Sequence, residues 1–129
     1  MFYSATTDGE YKDKVIGFYE NGKVYSATED GDYKDKVVGF IQNGKIYSAT
    51  KDGDYKENIV GFYSFDKVYS ADEGGEYKNR VVGFYSNSKV LSASENGEYK
   101  DKVIGFYGGE ILEGVACAAY LLLLDVFPV

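Results

Sequence analysis

The same 22-residue line is written five times in this chain, without an insertion or a deletion. In its third copy it runs Lys45-Ile46-Tyr47-Ser48-Ala49-Thr50, then Lys51-Asp52-Gly53-Asp54-Tyr55-Lys56, then Ile59-Val60-Gly61-Phe62-Tyr63. The other copies begin at Met1, Lys23, Lys67 and Lys89. A fixed period of this length is the mark of a repeat architecture, and it constrains the fold more than any single residue does.

Each copy carries two turn signals. One is Asn21-Gly22 and Asn43-Gly44, replaced later by Phe65-Asp66 and Asn87-Ser88. The other is Asp8-Gly9, Asp30-Gly31, Asp52-Gly53, Gly74-Gly75 and Asn96-Gly97. Asn-Gly and Asp-Gly supply the positive φ angles of a type I′ hairpin turn. The runs between them are rich in Val, Ile, Tyr and Phe and too short for helices. The pattern predicts a strand near Tyr33 to Gln42, a second near Lys45 to Thr50, and ten antiparallel strands from Met1 to Tyr107.

The two ends of the array are out of phase. The chain opens on Met1-Phe2-Tyr3-Ser4-Ala5, the second strand of a hairpin without its first. It closes the array on Val103-Ile104-Gly105-Phe106-Tyr107, a first strand without its second. Set side by side, they complete one more hairpin, with Phe106 opposite Tyr3 as Phe18 is opposite Tyr25. An open sheet leaves two bare edges, and closure into an up-and-down barrel removes both. With two-residue turns throughout, the register staggers by four residues per hairpin, the kind of shear that tilts strands in a barrel. An open meander or a β-solenoid capped by a helix is the alternative.

The tail from Ile111 is Ala- and Leu-rich, with Pro128 as a stop, and predicts a helix over 111–126. Glu110 and Glu113 at its start complement the helix dipole. From Val115 to Leu124 every face is apolar, and a helix apolar all round must be buried all round. Ten such residues are too few to span a bilayer, which needs about 20. The expected arrangement is one domain over 1–129, a barrel over 1–110 plugged by the helix and tail of 111–129. On this reading Phe18, Phe40, Phe62, Phe84 and Phe106 face the plug, and Cys117 and Leu122 belong to its core. Asp125 and the carboxylate of Val129 then come within reach of Lys14, Lys36, Arg80 and Lys102.

The chain has no His, one Cys, and a net charge of −7. Absence of His removes His-based acid–base chemistry, Ser-His and Cys-His pairs and His metal sites. Acidity argues against nucleic acid as a partner. No signal peptide is read, so a cytoplasmic location is expected, without a transmembrane segment. The Asp-Gly rim gathers Asp8, Glu10, Asp30, Asp32, Asp52, Asp54 and Glu76. A calcium site needs six to eight converging oxygens, and these read instead as solvated turn residues interleaved with Lys12, Lys34 and Lys56. Neither a metal nor a cofactor is expected, and no enzyme is read. Tyr19, Tyr63, Tyr85 and Tyr107 are placed on the outer face as a possible binding surface.

Gly31-Asp32-Tyr33-Lys34, followed by Val38-Gly39-Phe40 and Asn43-Gly44-Lys45, resembles MORN-type β-hairpin repeats over residues 1 to about 110. Those repeats share the Gly-x-Tyr-Lys opening, a mid-strand Gly and an Asn-Gly-Lys close. The extra glycines of that family are missing here. The resemblance implies a scaffolding or membrane-associated interaction role. The short repeats of bacterial cell-wall and choline-binding modules are similar in outline, but hold ligand in Trp cages, and this chain has no Trp. The expected function is a non-catalytic structural or protein-interaction domain, able to self-associate into a homo-oligomer. A carbohydrate-binding module using surface tyrosines is the alternative, so the partner is a protein or a glycan.

Overall fold

The computed structural model describes residues 1–124. Ten strands alternate between long and short: β1 (Phe2–Ala5), β2 (Lys12–Glu20), β3 (Lys23–Ala27), β4 (Lys34–Gln42), β5 (Lys45–Ala49), β6 (Lys56–Ser64), β7 (Lys67–Ala71), β8 (Lys78–Ser86), β9 (Lys89–Ala93) and β10 (Lys100–Tyr107). They form one closed antiparallel barrel in chain order. The seam is the missing hairpin: Phe2 pairs with Tyr107, Tyr3 with Phe106 and Ser4 with Gly105. Inside runs helix α1 (Ile111–Ala119), continued by a π-helical segment, Tyr120–Leu124.

The two turn types behave differently. Glu20 pairs with Lys23 across a two-residue turn whose Asn21 and Gly22 have φ of 51° and 82°. Asn suits that left-handed corner and Phe does not, yet Phe65 holds φ 57° at the same place in the third hairpin. The Asp-Gly turns are wider than two residues. Ala27 pairs with Lys34, and Thr28 exchanges hydrogen bonds with Tyr33, which leaves a four-residue loop. The loop makes room for the Thr–Asp hydrogen bonds described below.

The stagger is present but varies along the wall. Val24 faces Tyr19 behind it and Gly39 ahead, two residues short of Ile41, the residue equivalent to Tyr19. Toward the Asp-Gly rim the register slips, because Tyr25 pairs with Val37 and Val38 is an extra, bulged residue. Each hairpin loses its ladder at this level; β2 and β3 stop pairing at Gly17 and Ser26. The wall therefore opens into gaps at this end, and leucines of the central segment floor them. Leu122, for example, lies under a gap of about 350 Å³ bordered by Arg80, Val82 and Ala93.

The inward face is the one bearing the mid-strand glycines, which corrects the expectation for the phenylalanines. A Cβ placed on Gly39 would lie 2.5 Å from Leu124 Cδ1 and 2.7 Å from the Tyr47 carbonyl oxygen. Phe2, Val24, Ile46, Val68 and Val90 complete the inner layer and are fully buried with Val115, Ala116, Cys117, Ala118 and Ala119. Phe18, Phe40, Phe62, Phe84 and Phe106 each follow a glycine and take the opposite face. They lie outside the cluster around the helix. Phe62, Phe84 and Phe106 are nevertheless buried. Phe62 is flanked on the outer wall by Tyr69 and Lys45, and Phe84 by Leu91 and Lys67. Both faces are apolar, so alternation alone does not choose between them. The helix does, because its leucines need room that only the glycine face provides.

Small meets large at both ends, by residues other than those expected. Near the Asn-Gly rim the wall is large: the ring of Tyr107 leaves no space for a Cβ on Gly114. Near the other rim the wall is glycine and the helix is large. Leu121 meets Gly105, Leu122 meets Gly83, Leu123 meets Gly61 and Leu124 meets Gly39. The fifth glycine, Gly17, is covered by the Phe2 ring, which packs on Tyr120 at 5.9 Å between centroids. Five consecutive residues thus address five consecutive hairpins. Hairpins around the barrel are about 72° apart. An α-helix turns about 100° per residue, whereas a π-helix, with its i→i+5 bonds, turns roughly 82°. The helix expected over 111–126 changes to π at Tyr120 for this reason: the wider winding keeps successive leucines in step with the wall. Residues 125 and 126 of that helix, and the pairing expected for Asp125 and Val129, lie outside the described residues.

The helix entrance is tied at one point. Gly109, at φ 81°, turns the chain from β10 into α1. Glu113, the acidic residue of the first turn, then holds the amine of Met1 in an ion pair.

Candidate tyrosine rim

The tyrosines expected on the surface are not there. Tyr19, Tyr63, Tyr85 and Tyr107 share the inward face with the glycines. Tyr85 and Tyr107 are buried, and Tyr19 and Tyr63 pack partly buried on the core. Burial pushes the Tyr85 hydroxyl up to about 12, and it raises Tyr107 as well. These four are structural.

A different set is exposed. Tyr11, Tyr33, Tyr55, Tyr77 and Tyr99 stand at the Asp-Gly rim, one per repeat, with 66–71% of their surface open. Each ends a loop that is built the same way. In the second loop the Thr28 hydroxyl donates to Asp30 Oδ1 at 2.8 Å, and Asp30 Oδ1 also accepts from the Asp32 amide at 3.1 Å. The Tyr33 amide donates to Thr28 Oγ1 at 3.1 Å. Thr28 N–H donates to the Tyr33 carbonyl and Gly31 N–H to the Thr28 carbonyl, both at 2.8 Å. Gly31 holds φ 80° there, and a Cβ on it would lie 3.2 Å from Val15 Cβ on β2.

Sequence varies in these loops while the hydrogen bonds persist. Where Gly74 removes the carboxylate, Asp72 replaces the threonine and accepts from both Glu76 and Tyr77, at 2.9 and 3.2 Å. Where Asn96 replaces the aspartate, Ser94 Oγ donates to its Oδ1 at 2.9 Å, and Tyr99 N–H donates to Ser94 Oγ at 3.1 Å. Three side-chain solutions hold the backbone amides of five tyrosines at the same place in the loop. The amides of Glu10, Asp32 and Asp54, followed by the threonine hydroxyls, hold the carboxyls of Asp8, Asp30 and Asp52 below their usual range.

Two charge patterns surround the ring. Below it, on the outer wall, Lys12, Lys34, Lys56 and Lys78 lie over Tyr3, Tyr25, Tyr47 and Tyr69, at 4.6–4.9 Å from each centroid. Such contacts are worth about 0.5–1 kcal/mol each at exposed sites. The loops themselves carry Asp8, Glu10, Glu29, Asp30, Asp32, Asp52, Asp54, Glu73, Glu76, Glu95 and Glu98 against Lys51 alone. Among the described residues no three carboxylate or thiol groups gather to hold a metal ion. Cys117 is fully buried against the Phe106 carbonyl, at 3.6 Å, and burial pushes its thiol up.

Strand-like periodicity concealed the rim, since Tyr33 reads as the first residue of a strand. The usable signal was position: one Tyr per copy, always two residues after the loop glycine and just before a Lys.

Fold and rim together define a closed five-hairpin barrel with a helical plug and one aromatic, acidic end. Among the described residues no helix is long and apolar enough to cross a membrane. Against protein-family models, curated proteins and solved structures, the chain has no match.

Proposed function

We propose that this chain is a non-catalytic protein-interaction domain that binds through its tyrosine rim. The observation behind this reading is the ring of five exposed tyrosines, each held in place by a loop whose hydrogen bonds survive changes of residue. Rigid aromatic side chains give contact area at little cost in conformational entropy, and recur wherever proteins bind one another. Five copies on one circle also favour multivalent contact. The MORN-type resemblance, with its scaffolding role, points the same way.

A carbohydrate-binding module is the second reading, favoured by carboxylates next to exposed aromatic faces. Parallel selection on a random peptide library and a glycan array separates the two. The protein reading expects selected peptides whose binding drops at least tenfold in Tyr33→Ala/Tyr55→Ala. Binding confined to glycans would transfer the rim to the second reading, and binding unaffected by the double variant would remove the rim from both.

A further inference from the structure

The opposite end of the barrel carries a residue that both its backbone and its surroundings disfavour. Phe65 sits at the tip of the β6–β7 turn, 92% exposed and at φ 57°. Asn21, Asn43 and Asn87 fill the same position in the sister hairpins. A left-handed corner penalises a bulky side chain, and water penalises an exposed ring. Retaining a residue against both preferences points to a use outside the monomer.

Phe65 has company. Met1 and Ile111, 53% and 62% exposed, lie at the same end, where β1 begins and α1 starts. Lys23, Lys45, Lys67 and Lys89 follow the turns and are all exposed. Glu20, the acid preceding the first turn, is engaged by Lys34. One end of the molecule therefore sets apolar residues among four lysines, against the exposed acids Asp66 and Glu110, and the other is tyrosine with a ring of carboxylates.

We propose that the two ends are complementary halves of one interface, and that a second copy of this chain stacks its lysine and Phe65 end on the tyrosine rim of the first. This rests on reading the rim as a binding surface. The contact chemistry is already present on the outer wall, where four lysines cap four tyrosine rings. Both ends are organised around the same five hairpins, so lysines and tyrosines recur with a common spacing. The contact is head-to-tail, so it leaves a free end on each side and builds open stacks rather than closed pairs. A barrel end is small for a specific interface, so association belongs to the weak, transient range.

Sedimentation of the full chain tests this. Average mass is expected to rise past twice the monomer as concentration approaches about 1 mM at low salt, and to fall back when salt is raised toward ~0.5 M. Phe65→Asn installs the residue of the sister turns and is expected to remain folded and monomeric. Tyr33→Ser/Tyr55→Ser, at the other end, is expected to be monomeric too. Mixed together, the two variants each keep one intact end and are expected to form a dimer that grows no further. Three results would overturn the proposal: a wild-type chain that stays monomeric throughout, a mass that stops at two, or variants that fail to pair on mixing. Co-sedimentation with phosphatidylserine vesicles, lost in Phe65→Asn, would assign that end to a lipid surface and also overturn it. If the chain stays monomeric while Tyr33→Ala/Tyr55→Ala still loses selected peptides, self-stacking falls and the rim remains a binding surface.

Discussion

At the level of single residues, glycine and phenylalanine exchange the roles that their sizes suggest. The inner wall is made of glycines so that the central leucines have somewhere to go. Gly39→Ala should destabilise the fold by about 1–3 kcal/mol, the usual cost of overpacking, read as a lower denaturation midpoint. Adding Leu124→Ala should recover only part of this, because the Tyr47 carbonyl stays 2.7 Å from the new Cβ. Full recovery would mean that the leucine alone imposes the glycine. Cys117 should resist an aromatic disulfide reagent until the barrel unfolds, since the thiol is fully buried and held protonated. Fast labelling in native buffer would place it nearer the surface. Phe65→Asn should raise the melting temperature, by relief of roughly 1 kcal/mol of backbone strain. The preference for Asn at that corner was legible beforehand, since Asn21 and Asn43 stand in the sister turns. Inward and outward faces were not, because Phe18 and Tyr19 are both large and apolar and alternation gives them equal claim. The helix decides, since its leucines need the room of the glycine face, and that demand exists only once the barrel has closed around it.

Among the elements, the loops and the helix answer to different conditions. Carboxyls of Asp8, Asp30 and Asp52 are held below their usual range by loop amides and threonine hydroxyls. A depressed carboxyl contributes stability that is complete above its unfolded pKa, about 3.9, and lost as pH falls through the folded value. Amide protection at Tyr11, Tyr33 and Tyr55, taken against the intrinsic exchange rate, should therefore fall below about pH 4, while Tyr77 and Tyr99 provide a comparison. Tyr99 is supported by Ser94 and Asn96, which do not titrate there, and should change least. Equal loss of protection at all five would show that the barrel, not the carboxylate, is failing. The Asn-Gly hairpins, the closing seam and the all-round apolar tail could each be read from the chain, since each follows from local turn chemistry or from counting. The four-residue loops could not, because Asp-Gly also fits a two-residue turn and the deciding hydrogen bonds come from Thr28, two residues upstream. Nor could the change to π winding at Tyr120, which depends on the angular spacing of a wall that exists only after closure.

For the whole molecule, closure makes the five hairpins nearly interchangeable. A permuted chain that begins at Lys45, joins Tyr107 to Phe2 through Asn-Gly, and carries residues 108–129 after Gln42 keeps every strand pairing, while losing the Met1–Glu113 ion pair and turning the plug relative to Phe2. It should fold to a barrel of the same size, with a melting temperature within several degrees. Collapse of that variant would show that the seam between β1 and β10 is special. Interchangeability has a mechanical corollary for the plug. Each of Leu121, Leu122, Leu123 and Leu124 rests on a glycine of its own hairpin, so rotating the helix by one hairpin sets every leucine on another glycine. Such a device is a ratchet with five almost equal teeth, and it requires a pawl. Phe2 fills that role, because its ring covers Gly17 and leaves four free notches for four leucines. Phe2→Ala should release the pawl, and the leucine methyl resonances should then split into several slowly exchanging sets.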